Sequence, residues 1–291
     1  MSVVFSFRSP PSLPAGPPKS GVLLPGRNGS AVILVHGLTG TPAEMRFIAW
    51  FLHTHGFTVS CPRLANHGEP IDVLKKTRWE QFYDSVRDAQ LALRYDHDHI
   101  HVAGLSMGAL LGLLLAAEFP SDVASVSCLS PTLFYDGWNV PWYQFLMPLA
   151  SRTPLRDYVY FKEEPPYGLK NERLRQKVHD FYRTAKLDAM QDVDRFGYPF
   201  FPVRLLGELS RLVSFLKPRL PQVIAPCQII QARHDDMSSA KNARHIHQLV
   251  GSVRKEIIYL EDSYHVITAD QERAKVAQHL LDFFTAEVAH V

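Results

Sequence analysis

At 291 residues the chain can bury a large core, and its length suits one α/β domain carrying an insertion. Its 31 Lys+Arg nearly cancel its 29 Asp+Glu, which removes any electrostatic case for nucleic acid or an anionic membrane surface. Cys61, Cys128 and Cys227 lie in or beside apolar, strand-like segments without CxxC or metal-ligand spacing, so they read as small core residues in a reducing compartment.

Residues 3–7 are too short and too poorly flanked for a signal peptide, and they run into a Pro-rich stretch over 10–18. Residues 8–30, rich in Pro, Gly and Ser, read as an irregular leader. Residues 31–35 (AVILV) are a continuous apolar run of strand length, as a buried parallel strand requires. Thr41 then caps a helix with Pro42 in its first position; it runs to about His53, and Gly56 ends it. A strand follows over 57–61, and helical spacing through Phe82, Val86, Ala89 and Leu93 marks a helix over 78–95.

Residues 99–103 form the next strand, residues 109–119 an apolar helix and residues 123–129 a further strand. The run over 109–117 is too short to span a bilayer, so the expectation is a cytoplasmic chain without stable membrane insertion. After Pro131 the rhythm breaks. Residues 131–220 hold just over half of the aromatic residues, many prolines, and helical pieces at 172–185 and 203–216. Alternation returns with strands over 226–231 and 254–260 and helices over 238–250 and 271–286. Strands alternating with amphipathic helices predict an α/β fold with a mostly parallel sheet flanked by helices. The expected division is a main domain from 1–130 and 221–291 and a helical insertion over 131–220.

The chemistry centres on Gly104-Leu105-Ser106-Met107-Gly108, placed between a strand and a helix. This is the G-x-S-x-G nucleophile elbow, in which the serine sits on a strained turn and side chains at the flanking glycines would collide with their neighbours. A serine hydroxyl needs a base within reach, and the base needs a carboxylate to orient it. After such an elbow the acid and the histidine follow in that order, each on a loop after a strand. Asp235, Asp236 and Asp262 are the acid candidates, with Asp235 favoured, and His265 is the base candidate. The oxyanion of acyl transfer needs two backbone donors. One is the amide of Met107, and the other is that of Leu38 in the loop His36-Gly37-Leu38-Thr39-Gly40, with His36 pinning that loop. The H-x-H pairs at His53, His97, His99 and His245 have no accompanying carboxylate or cysteine pattern, so no metal is expected.

These residues carry a family resemblance. The chain resembles the bacterial carboxylesterase and monoacylglycerol lipase group of the α/β-hydrolase superfamily. The likeness rests on His36 to Gly40, Asn66-His67-Gly68, Thr77-Arg78-Trp79, the elbow, Gln231 to Met237 and His265-Val266-Ile267-Thr268-Ala269-Asp270-Gln271. It departs at Asn66, where the family usually has glycine, at Ala109, and over 131–220, which match poorly. The resemblance implies the α/β-hydrolase fold with a helical cap, and the Asp directly after the Arg-His pair, Asp235, as the acid. It further implies a small-molecule ester substrate and no cofactor. Ser106 would attack, His265 would act as base and then acid, and the amides of Leu38 and Met107 would hold the oxyanion. Phe134, Tyr135, Trp138, Trp142, Tyr143 and Phe145 would furnish an apolar pocket for short or medium acyl chains or monoacylglycerols. Thioester, amide or carbon–carbon hydrolysis, acyl transfer and non-catalytic ligand binding are the alternatives on the same scaffold.

Overall fold

Along the strand at Ser30–Val35 successive side chains must face opposite ways, and every one of them is apolar after the first, so both faces of the sheet have to be covered. The computed structural model describes residues 21–140, 153, 157–185 and 193–288. Among them β1 (Gly21–Leu24), β2 (Ser30–Val35), β3 (Thr58–Pro62), β4 (His99–Leu105), β5 (Ser125–Leu129), β8 (Cys227–Ala232) and β9 (Lys255–Leu260) form one sheet in the order β1-β3-β2-β4-β5-β8-β9. All neighbours are parallel except β1, which is antiparallel to β3.

Ala31, Ile33 and Val35 of β2 enter one core with α3 (Trp79–Leu93), α4 (Met107–Glu118) and α7 (Val203–Leu216). Val32 and Leu34 enter the opposite core with α1 (Arg46–Thr54) and α9 (Arg273–Val288). The expected helix start at Thr41 is present: its side chain accepts from the Ala43 amide, and a 3₁₀ turn over Pro42–Met45 leads into α1. α4 is buried on every side from Met107 to Ala117, which explains its unbroken apolar spelling.

Two elements differ from the sequence expectation. Gly21–Leu24, inside the stretch read as irregular, is an edge strand whose four residues pair with β3 from Gly21↔Pro62 to Leu24↔Val59. Four residues are too few to show strand alternation among so many turn formers. Residues 8–20 of that stretch lie outside the described residues. Over 131–220, α5 (Glu172–Thr184) and α6 (Val193–Phe196) are flanked in sequence by β6 (Tyr160–Lys162) and β7 (Phe200–Pro202), which pair as a two-stranded antiparallel ribbon. Each strand is three residues long, and the partners are far apart in sequence, so no local pattern reveals the pairing. α7 shows two apolar faces. Leu205, Leu212 and Leu216 pack in the main core, while Leu206, Leu209 and Val213 line a cavity above the sheet.

His101 of β4 is held inside the core, with Nδ1 2.8 Å from Ser125 Oγ, Nε2 unpartnered and the ring stacked on Phe284. Burial pushes this imidazole down to about 3. The unfolded chain takes up a proton below the ordinary histidine value of about 6.5, while the folded chain refuses it until about 3. Stability from this site is therefore full above pH 6.5 and falls as pH drops through that window. Replacing His101 by Leu should shrink the loss of unfolding free energy between pH 7 and pH 5 by about 2 kcal/mol. Urea unfolding at the two pH values measures it, and an identical loss in both proteins would refute the assignment.

Candidate active site

In a parallel sheet all strands deliver their following loops to one edge, and that edge is where α/β folds build sites. β2 leads to the loop 36–40, β4 to Ser106, β8 to Asp235 and β9 to His265. Ser106 has φ +57° and ψ −115°, a region that L-residues avoid. Its N–H donates to Leu129 O at 2.9 Å, just beyond the Leu105↔Leu129 rung of the β4–β5 ladder, so the strained turn is tied to the sheet. A Cβ on Gly104 would collide with the Gly108 carbonyl, and one on Gly108 with the carbonyls of Val35 and His36. Both glycines are therefore demanded by backbone approach. Ser106 Oγ lies 3.0 Å from the hydroxyl of buried Thr132. The Ser106–His265 hydrogen bond that proton transfer requires is not made in this conformation.

The loop 36–40 is fixed through its carbonyls. Gly37 O accepts from Gly40 N–H at 3.3 Å and from His36 Nδ1 at 2.9 Å, while His36 Nε2 accepts from Leu64 N–H at 3.2 Å. These bonds require a neutral imidazole with the proton on Nδ1, and burial holds His36 well below the usual histidine value. In a planar trans peptide the N–H points opposite to the C=O. Fixing Gly37 O thus fixes the direction of the Leu38 N–H. Leu38 O is held in turn by His67 Nε2 at 2.8 Å, and burial lowers His67 to about 4, so it too is neutral at pH 7. The amides of Leu38 and Met107 donate to no other group among the described residues. Leu38 lines the cavity; Met107 is the first residue of α4, at its positive end, and its side chain packs in the core.

His265 and Asp235 are brought together, both buried, with Nδ1 3.0 and 2.9 Å from the two carboxylate oxygens. Asp235 is held by its own turn: Oδ1 accepts the amides of Met237 and Ser238 at 2.8 and 2.7 Å, and Oδ2 accepts from Gln231 Nε2 at 2.8 Å. Burial works against a charged His265, but Asp235, then Asp236 and Glu44, outweigh it, so the imidazole is raised above its ordinary value. Asp236 serves the backbone instead, accepting from Gly168 N–H at 3.0 Å and His265 N–H at 3.2 Å. Asp262 sits outside and pairs with Lys170 Nζ at 2.8 Å.

The pattern of the hydrolase family described as serine aminopeptidase, S33, matches residues 26–272. The chain belongs to this serine aminopeptidase S33 family. It is 29% identical over 253 residues to the thermostable monoacylglycerol lipase of Bacillus sp. strain H-257, covering 87% of this chain and 89% of the relative. It is 27% identical over 254 residues to the carboxylesterase of Bacillus subtilis strain 168, covering 87% and 91%. A solved structure from work on LipS and LipT, two metagenome-derived lipolytic enzymes, superimposes with a TM-score of 0.76 at 25% identity, covering 94% of this chain and all of that one. The S33-family chain is thus a serine hydrolase of the lipase and esterase type with the α/β-hydrolase fold.

Several residues of this S33-family site escaped sequence reasoning. Asp270, buried, accepts the amides of Tyr264, Lys170 and Asn171, each at 2.8 Å, which ties the His265 loop to the insertion. Asn242 Oδ1 accepts the amides of Leu133 and Phe134 at 2.8 and 2.7 Å. Glu44 and Glu163 line the cavity, with Glu44 on the Gly37 amide and Glu163 on the Thr39 hydroxyl. Of the expected pocket aromatics, Phe134 and Tyr135 line the cavity. Trp138 is exposed at 59%, donates to His234 O and packs edge-on against Tyr264. Trp142, Tyr143 and Phe145 lie outside the described residues. Among the described residues no cluster of histidines, cysteines or carboxylates could hold a metal, and no helix is long and apolar enough to cross a membrane.

Gly108→Ala should abolish ester hydrolysis and lower the unfolding free energy by about 2–4 kcal/mol, because the new Cβ meets backbone that cannot retreat. Activity assays with denaturant unfolding test this, and a stable, active variant would contradict the packing described.

Proposed function

We propose that Ser106, His265 and Asp235 hydrolyse uncharged carboxylic esters through an acyl-enzyme, with the amides of Leu38 and Met107 as oxyanion donors. The observation that carries the reading is the doubly contacted His265–Asp235 pair, whose histidine lines the same cavity as a serine on a strained elbow. His265 takes the Ser106 proton as the oxygen attacks the carbonyl carbon. It then gives that proton to the leaving alcohol, and activates water to release the acid. Asp235 fixes the tautomer with the proton on Nδ1, leaving Nε2 as the base.

The cavity of about 910 Å³ lies at the upper end of small-molecule sites, which span about 300–1,000 Å³. Leu206, Leu209 and Val213 of α7 and Leu174 and Val178 of α5 give it apolar walls suited to an acyl chain. Short- or medium-chain esters, or monoacylglycerols as in the named relative, are the substrates we favour. We assign residues 131–220 as the cap that shapes this cavity and the rest as the catalytic domain. A reducing, cytoplasmic setting is supported by the three buried free thiols.

Ser106→Ala should lower kcat by about 10⁶-fold toward p-nitrophenyl esters and abolish labelling by a fluorophosphonate. Asp235→Asn should lower it by about 10⁴-fold, since it permits the wrong tautomer. Unchanged turnover in either variant would overturn the assignment, as would faster cleavage of aminoacyl p-nitroanilides than of butyrate or octanoate esters. The acid limb of kcat/KM should fall about tenfold per unit below an apparent pKa higher than 6.5, because His265 must be neutral to act and its partners raise it. A limb below 6.5 would contradict that sign.

A further inference from the structure

Glu44 lies on the 3₁₀ turn after the loop 36–40, yet its carboxylate reaches back to that loop. Oε2 accepts the Gly37 N–H at 3.1 Å. A Cβ on Gly40 would overlap all three carboxyl atoms, so the group fills the hollow of the loop itself. It lines the same cavity as Ser106 and His265. The oxyanion donor Leu38 thus sits between two anchored groups, with Glu44 on the amide before it and His67 on its own carbonyl. No reaction step assigned above uses this carboxylate.

We propose that Glu44 is a positioning residue of the hydrolytic reaction, which clamps the oxyanion loop through Gly37 and supplies negative charge facing the His265 imidazole. The proposal rests on the catalytic reading above and adds a residue to it. A capping serine or asparagine could hold Gly37 N–H without bringing charge into the site, so the choice of a carboxylate needs its own account. His265 supplies one: its cationic form is favoured by Asp235, Asp236 and Glu44 together.

The groups facing Glu44 come from several elements. His265 follows β9 and favours the ionised carboxylate, whereas Glu163 follows β6 and opposes it, and Tyr182 of α5 also senses its charge. Glu163 itself faces Asp236 and His265. Burial pushes Glu44 up to about 7 against the lowering by Gly37 and His265, and burial does the same to Glu163. A carboxylate raised in the folded state binds its proton more tightly there than in the unfolded chain. Its contribution to stability is therefore full below about pH 4.5 and lost as pH rises through about 7.

Glu44→Gln keeps an oxygen acceptor for Gly37 and removes the charge, while Glu44→Ala removes both. Glu44→Gln should keep kcat within about threefold of the parent at its optimum, and move the acid limb of kcat/KM to lower pH. Glu44→Ala should lose about 10–100-fold in kcat with KM little changed, a part of the 10²–10³-fold that removal of an oxyanion donor costs. The melting temperature of Glu44→Gln relative to the parent should rise between pH 5 and pH 8, a readout independent of turnover. An unmoved acid limb in Glu44→Gln, or equal kcat losses in both variants, would overturn the proposal. Fluorophosphonate labelling of Ser106 in the parent separates the two levels: an unlabelled parent sinks the catalytic reading, whereas a labelled parent with either contrary result sinks the role of Glu44 alone.

Discussion

The backbone of Ser106 is held at φ +57°, ψ −115°, and a conformation of this kind costs about 1–3 kcal/mol unless its surroundings over-determine it. Three contacts do so. The Ser106 amide is bonded to Leu129 O, Gly104 lies against the Gly108 carbonyl, and Gly108 lies against the carbonyls of Val35 and His36. The last contact brings the start of α4 onto the end of β2, where the loop 36–40 begins. One tight turn therefore ties Ser106 to the loop 36–40, and neither part can shift without the other.

Around that turn the site is organised by carboxylates that accept backbone amides. Asp235 holds its own turn, Asp236 ties Gly168 to His265, Asp270 ties the His265 loop to Lys170 and Asn171, and Glu44 holds Gly37. Charge-assisted bonds of this kind are stronger than neutral ones, and in a largely buried setting they leave little room for alternative loop conformations. They also place negative charge around one imidazole. Precise loops and a basic histidine follow from the same groups.

The local parts of this site were legible in the sequence because their causes are local. The elbow glycines answer to a five-residue turn, the loop 36–40 to a strand end, and the order of Ser106, Asp235 and His265 to the order of the strands that carry them. The choice among Asp235, Asp236 and Asp262 was not resolvable from spacing, since Asp235 and Asp236 are adjacent and differ in which partner each faces. The roles of Asp270, Asn242 and Glu163 were hidden for another reason. Each has a partner about 100 residues or more away, and nothing in a single chain marks a buried acceptor whose donor, amide or hydroxyl, is so distant. The ribbon of β6 and β7 was hidden by the same sequence distance.

The segment 193–198 reaches across to the oxyanion loop and its neighbours. Tyr198 N–H donates to Thr39 O at 2.9 Å, the Thr41 hydroxyl donates to Asp194 O at 3.1 Å, Asp194 pairs with Arg63, and the Tyr198 hydroxyl joins Gly68 and Glu69. This stretch lies within residues 131–220 by sequence, yet by contact it belongs with the loop 36–40 and its neighbours. The freedom of residues 131–220 to vary is consequently unequal along their length. Cavity-facing side chains of α5 and α7 can change without breaking a bond to the loop 36–40 or to Thr41, whereas 193–198 is bonded to both. A graft that exchanged all of 131–220 for the matching segment of a relative would carry away one support of the loop 36–40, so an exchange that keeps that loop in place has to spare 193–198.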